Sequence, residues 1–133
     1  MNLYCFTPFI DKRGWLLPLE FNKLPFVPKR VFFVSNVPLG MRRGEHAHYK
    51  TQQYLICLSG KVRVGLHDGK NLEERDICQG ESVFIDRKIW DYQDFLTKDA
   101  CIAVLCSTEY DHKDYITSFK KFLFVKSSGI ARQ

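Results

Sequence analysis

The chain has 133 residues, 45% of them hydrophobic and 14% aromatic, with a formal charge of +5. That length suits one domain with one continuous core; the composition excludes a disordered polar chain, and no apolar run approaches the roughly 20 residues of a membrane-spanning helix. The basic surplus is scattered in doublets such as Arg42-Arg43 and Lys120-Lys121, which argues against a nucleic-acid tract and is compatible with a phosphorylated small ligand.

The opening residues, Met1-Asn2-Leu3-Tyr4-Cys5, show no basic segment leading into an apolar one, so a cytoplasmic setting is expected. The five cysteines, Cys5, Cys57, Cys78, Cys101 and Cys106, are odd in number and form no C-x-x-C, a pattern that suits reduced thiols. Asp11-Lys12-Arg13-Gly14 reads as a turn, and Val31 to Val37 as a β-branched, aromatic strand ended by Pro38-Leu39-Gly40. Gln53 to Leu58 and Lys61 to Leu66 are further strands, the second placing Val62, Val64 and Leu66 on one face. Ser59-Gly60 between them reads as a tight hairpin, Asp68-Gly69 as the next, and Gln79-Gly80 as another turn. Ser82 to Ile85, Trp90 to Phe95 and Cys101 to Ser107 complete the strands. A helix is predicted near the C-terminus, capped by Asp111, with Ile116, Phe119, Phe122 and Leu123 as its apolar stripe. His67 beside a turn and His112 in the first helical turn are expected to be solvated. The whole, 1–133, reads as a single mostly-β domain.

The segment from Gly40 to Gly60 carries the chemistry. Its Gly40, His46, His48 and Gly60 fall on the first cupin motif, G-x5-H-x-H-x4-E-x6-G, with Gln53 where that motif has Glu. The resemblance implies an all-β, antiparallel β-barrel or jelly roll of the cupin type with one short C-terminal helix. Residues two apart on a strand share a face, so His46 and His48 would enter one cavity together. In metal-binding cupins the two histidines, the Glu and a later histidine hold the ion. Here Gln53 is a poor ligand, and Asp91 stands where the later histidine is expected. One branch is a two-His, one-carboxylate metal site. The branch taken is metal-free and cofactor-free, with neutral imidazoles moving protons near pH 7.

Several collinear segments resemble the nucleotide-sugar 3,4-ketoisomerases, cupins that act on TDP-4-oxo-6-deoxyglucose. They are Asp11-Lys12-Arg13-Gly14, Lys29-Arg30-Val31-Phe32-Phe33-Val34, Arg43-Gly44-Glu45-His46-Ala47-His48 and Tyr110-Asp111-His112-Lys113-Asp114-Tyr115-Ile116. The resemblance implies a cytoplasmic, metal-independent homodimer, in which strands can be exchanged between subunits. It would move the ketone of a TDP-linked 4-oxo-6-deoxyhexose from C4 to C3, ahead of an aminotransferase. His46 and His48 would be catalytic, with His48 favoured as the base. Arg13 and Arg43 would bind diphosphate or sugar oxygens, Gln53 sugar hydroxyls, and Trp90 would wall the pocket. Phe32 and Phe33 stand where tyrosines are common in the family, and Asp91 where a histidine is common. The rivals are a metal-dependent cupin enzyme, a non-catalytic nucleotide-sugar-binding cupin and a 3,5-epimerase.

Overall fold

The structure is a computed structural model that describes residues 6–131, with side chains through Ser128; Cys5 lies outside the described residues. A short hairpin, β1 (Phe9–Asp11) and β2 (Gly14–Leu16), precedes the body. Then follow β3 (Arg30–Ser35), β4 (Arg42–His48), β5 (Gln53–Ser59), β6 (Lys61–His67), β7 (Leu72–Cys78) and β8 (Ser82–Ile85). The chain closes with β9 (Trp90–Phe95), β10 (Cys101–Cys106), β11 (Tyr115–Ile116) and α1 (Phe119–Ala131). One sheet has the order β3-β10-β5-β8 and the other β11-β4-β9-β6-β7. Every pairing is antiparallel. The expected all-β jelly roll with one short C-terminal helix is the observed architecture.

Period-two alternation decides which side chains meet between the sheets. Leu55 and Cys57 of β5, Val62, Val64 and Leu66 of β6, Val83 and Ile85 of β8, and Ile102 and Val104 of β10 form the inner core. Phe32 and Val34 of β3 lean against it. Burying each such aliphatic side chain contributes about 1.5–3 kcal/mol. The alternate residues Tyr54, Ile56, Phe84 and Leu105 face outward and are covered by Leu17, Leu19, Leu24 and Phe26 from the long connection before β3. On the other sheet, Ala47, Trp90 and Ile116 face outward beneath Phe122 of α1. Thus His46 and His48 of β4 and Asp91 and Gln93 of β9 are turned inward.

Three sequence expectations need correction. Ser59-Gly60 is a corner between sheets, not a hairpin: β5 pairs with β10 and β8, whereas β6 pairs with β7 and β9. Gly60 has φ +70°, and a Cβ there would lie 2.7 Å from the Ala100 backbone, so only glycine lets the chain pass from one sheet to the other. The helix begins at Phe119, not at Asp111. Asp111 caps a single 3-10 turn, accepting from Lys113 N, and Ile116 belongs to β11, paired with Ala47. Ser118 Oγ accepts from Lys121 N and so serves as the helix cap. His67 is half-buried and not fully solvated; its ring lies 5.1 Å from that of Phe119, while Nδ1 accepts from Gly69 N. His112 is exposed as expected. The Asp68-Gly69 hairpin joins β6 to β7, and the Asp68 carboxylate accepts from the backbone of Lys70 and Asn71.

Candidate active site

β4 carries both histidines, and a one-residue bulge aims them. Gly44 pairs with Tyr92 and His46 with Asp91, which leaves Glu45 without a partner across the ladder. Gly44 and Glu45 have φ +86° and +61°. A Cβ on Gly44 would sit 3.0 Å from the Tyr92 Cα, so the close approach of β9 requires glycine. Beyond the bulge, His46 and His48 face the interior and Ala47 faces α1.

The two imidazoles meet edge to face, with ring centroids 5.1 Å apart. Tyr115, directly opposite His48 in β11, closes the group at 4.3 Å from His48 and 5.2 Å from His46. His48 is 3% exposed, and its Nδ1 lies 3.1 Å from Asp114 Oδ2. Asp114 is anchored by Lys50 N at 2.8 Å, Thr51 N at 3.1 Å and Thr51 Oγ1 at 2.5 Å. Burial pushes the Asp114 carboxyl up, but these donors outweigh it and hold the group below the usual carboxylate range. An ionised Asp114 fixes the tautomer of His48 with Nδ1–H donating, and leaves Nε2, buried and unpartnered, as a lone pair. Burial lowers the His48 pKa despite Asp114, so the ring is neutral at pH 7. His46 is half-buried, and burial together with the neighbouring His48 lowers its pKa to about 4. Its ring also hydrogen-bonds the backbone of Gly44, which leaves the other ring nitrogen free to take a proton.

The remaining expected residues are distributed unevenly. Arg43 pairs in register with Gln93, is exposed, and its charge acts on His46. Gln53 is 4% exposed on the inner wall, its amide 3.8 Å from Cys106 Sγ. Arg13 is exposed on the β1–β2 hairpin and paired with Asp11 at 2.6 Å. Trp90 does not share the inner face with His46 and His48 as a pocket wall would: it points out of β9 and packs 5.3 Å from Phe119 and 5.8 Å from Phe122. Asp91, its neighbour, points inward and is 1% exposed, with Oδ1 accepting from Gln93 Nε2 at 2.7 Å. Among the described residues, no three His, Cys, Asp or Glu side chains converge as a cage for an ion. Phe32 lines the interior, whereas Phe33 faces outward and is exposed.

Sequence reasoning missed Asp114, Tyr115 and Arg30. The first two were hidden by a local pattern that reads as helix. Arg30 carried a signal: strand alternation puts it on the face of Phe32 and Val34, a cation on an otherwise apolar inner stripe.

Comparison with known proteins agrees with this fold. The family model described as WxcM-like, C-terminal (FdtA) matches residues 1–127. The chain belongs to the FdtA family. Over 119 residues, 88% of this FdtA-family chain and 86% of the relative, it is 35% identical to the TDP-4-oxo-6-deoxy-alpha-D-glucose-3,4-oxoisomerase of Aneurinibacillus thermoaerophilus. It superposes with a TM-score of 0.89 on a mutant of the 3,4-ketoisomerase QdtA from Thermoanaerobacterium thermosaccharolyticum, a structure in complex with TDP-4-keto-6-deoxyglucose. That match covers 96% of this chain and 94% of QdtA at 29% identity. The WlaRB TDP-quinovose 3,4-ketoisomerase of Campylobacter jejuni matches with a TM-score of 0.84 and 33% identity, covering 92% of this chain and 96% of WlaRB.

Proposed function

We propose that the chain is a 3,4-ketoisomerase of TDP-4-oxo-6-deoxyglucose, working by histidine acid–base catalysis in the making of a 3-amino-deoxy sugar. The observation that carries this reading is the pair of neutral imidazoles in edge-to-face contact on the inner face of β4, one half-buried and the other buried and held by a carboxylate. The isomerisation moves one hydrogen from C3 to C4 and another from the C3 oxygen to the C4 oxygen. Two adjacent proton carriers match those two transfers. The C3 proton is acidic because it neighbours the C4 carbonyl; its removal gives an enediolate, and return of a proton at C4 leaves the ketone at C3.

Relative exposure supports the opposite division of roles from the one favoured from sequence. A ligand reaches half-buried His46 before His48, which is 3% exposed. His46 therefore takes the carbon-bound proton. His48, with its tautomer fixed by Asp114, exchanges the oxygen-bound one through Nε2. Arg43 and Gln53 bind the substrate from the cavity rim and wall.

The chain works as one cupin domain and as a homodimer in the cytoplasm. Exposed Phe9, Ile10 and Leu16 on the β1–β2 hairpin and Phe33 on the outer face of β3 support an apolar contact with a second copy. Such a contact offers Arg13 a route to the other subunit's site. Cys57, Cys78, Cys101 and Cys106 are unpaired, in keeping with a reducing compartment.

The test is incubation with TDP-4-oxo-6-deoxyglucose in deuterated water, followed by NMR. A 3-oxo product carrying solvent deuterium at C4 is expected, and His46→Asn should abolish the labelling. Substrate that binds yet stays unlabelled would overturn the reading.

A further inference from the structure

The histidine pair supplies bases, but an enediolate also needs a positive group for its oxygen. Arg30 opens β3 and turns inward with Phe32 and Val34. Arg13, Arg42, Arg63, Arg75 and Arg87 each have a carboxylate within 4 Å, whereas Arg30 has none among the described residues. Its Nη2 donates instead to the sulfur of fully buried Cys106 at 3.4 Å, the residue directly opposite it in β10. The guanidinium lies 5.4 Å from the ring centres of both Phe32 and Tyr110, and it hydrogen-bonds the Tyr115 side chain. Its Nε–H is buried without any partner. A buried, unsatisfied N–H on a cation held by aromatic rings and a thiol is a costly arrangement unless an anion completes it. The cluster shares Tyr115 with both histidines, and the Arg30 charge reaches His48. Base and cation therefore flank one space.

Resting on the ketoisomerase reading above, we propose that Arg30 holds the enediolate oxygen during the proton transfer, and that Cys106 is a positioning residue that fixes its guanidinium. The charge develops only as the C3 proton leaves, so Arg30 acts on the reacting state more than on the bound substrate. Gln53, directly opposite Cys106 in β5, aims its amide at the same sulfur from the other side and keeps the thiol in place. A diphosphate would also suit a guanidinium. The shared Tyr115 favours the sugar end, and the test separates the two.

The experiment compares wild type, Arg30→Gln and Arg30→Lys by TDP affinity, KM, kcat and deuterium incorporation at C4. Arg30→Gln is expected to lower kcat about 100- to 1,000-fold, with TDP affinity within about twofold of wild type; Arg30→Lys keeps the charge without the fork and should fall between. Weakened TDP binding with kcat retained would make Arg30 a diphosphate ligand and overturn the proposal, as would unchanged kcat and affinity. Cys106→Ser retains an acceptor and should keep activity, whereas the near-isosteric Cys106→Val should lower kcat about tenfold with KM unchanged. Equal activity of the two overturns the positioning role. Wild type that binds TDP but never labels the sugar defeats the ketoisomerase reading itself. Labelling by wild type and equally fast labelling by Arg30→Gln defeats only the Arg30 assignment.

Discussion

Replacing Asp91 by Asn should change how stability depends on pH. Asp91 is a carboxyl on the inner face, in register with His46 and Leu66, with Oδ2 buried and unpartnered. Burial pushes its pKa from 3.8 to about 7, only partly opposed by the Gln93 amide. Unfolded, the group ionises near 4; folded, it keeps its proton to about 7. The folded state thus binds more protons across that window, and stability falls as pH rises through it. At about 1.4 kcal/mol per pH unit, the full loss is about 4 kcal/mol, of which about 3 kcal/mol falls between pH 4.5 and 8. His46 and His48 pull the other way, because their folded pKa values are lowered and stability is lost below about 6.5. Those contributions are common to both proteins and cancel in the comparison. Urea unfolding of wild type and Asp91→Asn at the two pH values should therefore show the variant gaining on wild type by about 3 kcal/mol at pH 8 relative to pH 4.5. With a slope of about 1.5 kcal/mol per molar, the gap between midpoints moves by about 2 M. Midpoints that stay a constant distance apart would mean that Asp91 is hydrated or paired, and the argument from burial would fail.

The acid limb of kcat/KM should lie below the ordinary histidine value of about 6.5, because His46 and His48 both act as neutral rings and burial lowers both; a limb at about 6.5 or above would contradict a buried pair. Asp114→Asn should free the His48 tautomer and lower kcat about 100-fold or more, as measured in a steady-state assay. The same change should cost about 1–3 kcal/mol of stability in urea melts, because Lys50 N, Thr51 N and Thr51 Oγ1 compete for one remaining acceptor. Gly60→Ala should lose about 2 kcal/mol or more, seen as a Tm drop of about 8 °C, since the new methyl strikes Ala100 and Thr97 at a positive φ. An unchanged Tm would deny the corner its steric basis.

Much of the fold could be read directly. Val62, Val64 and Leu66 announce their shared face by simple alternation, and all three are 2% exposed or less. The H-x-H spacing likewise foretold that His46 and His48 share one face, where their rings touch. What stayed hidden is non-local. Ser59-Gly60 has the composition of a hairpin, but nothing nearby states which sheet the next strand joins. The segment from Asp111 to Ile116 has helical spacing, yet Asp114 is drawn to backbone donors more than 60 residues away, and this holds Tyr115 and Ile116 against β4. Trp90 was misplaced because strand alternation gives two faces without saying which is inside. Phe95, an inner-core residue on the same strand as Asp91 and Gln93, decides it.

The unpaired Glu45 is an extra residue in the β4 ladder. Ahead of it, Arg42 looks out toward Asp94 while Arg43 stands level with Gln93; behind it, parity flips and His46 looks in. Removing Glu45 would leave Gly44 opposite Tyr92 and His46 opposite Asp91 in an unbroken ladder with both rings still turned in, so what the extra residue supplies is the local bend and twist that aim them. The insertion is consequently a device of aim and not of facing: it tilts the rings toward each other without choosing the side of the sheet on which they stand.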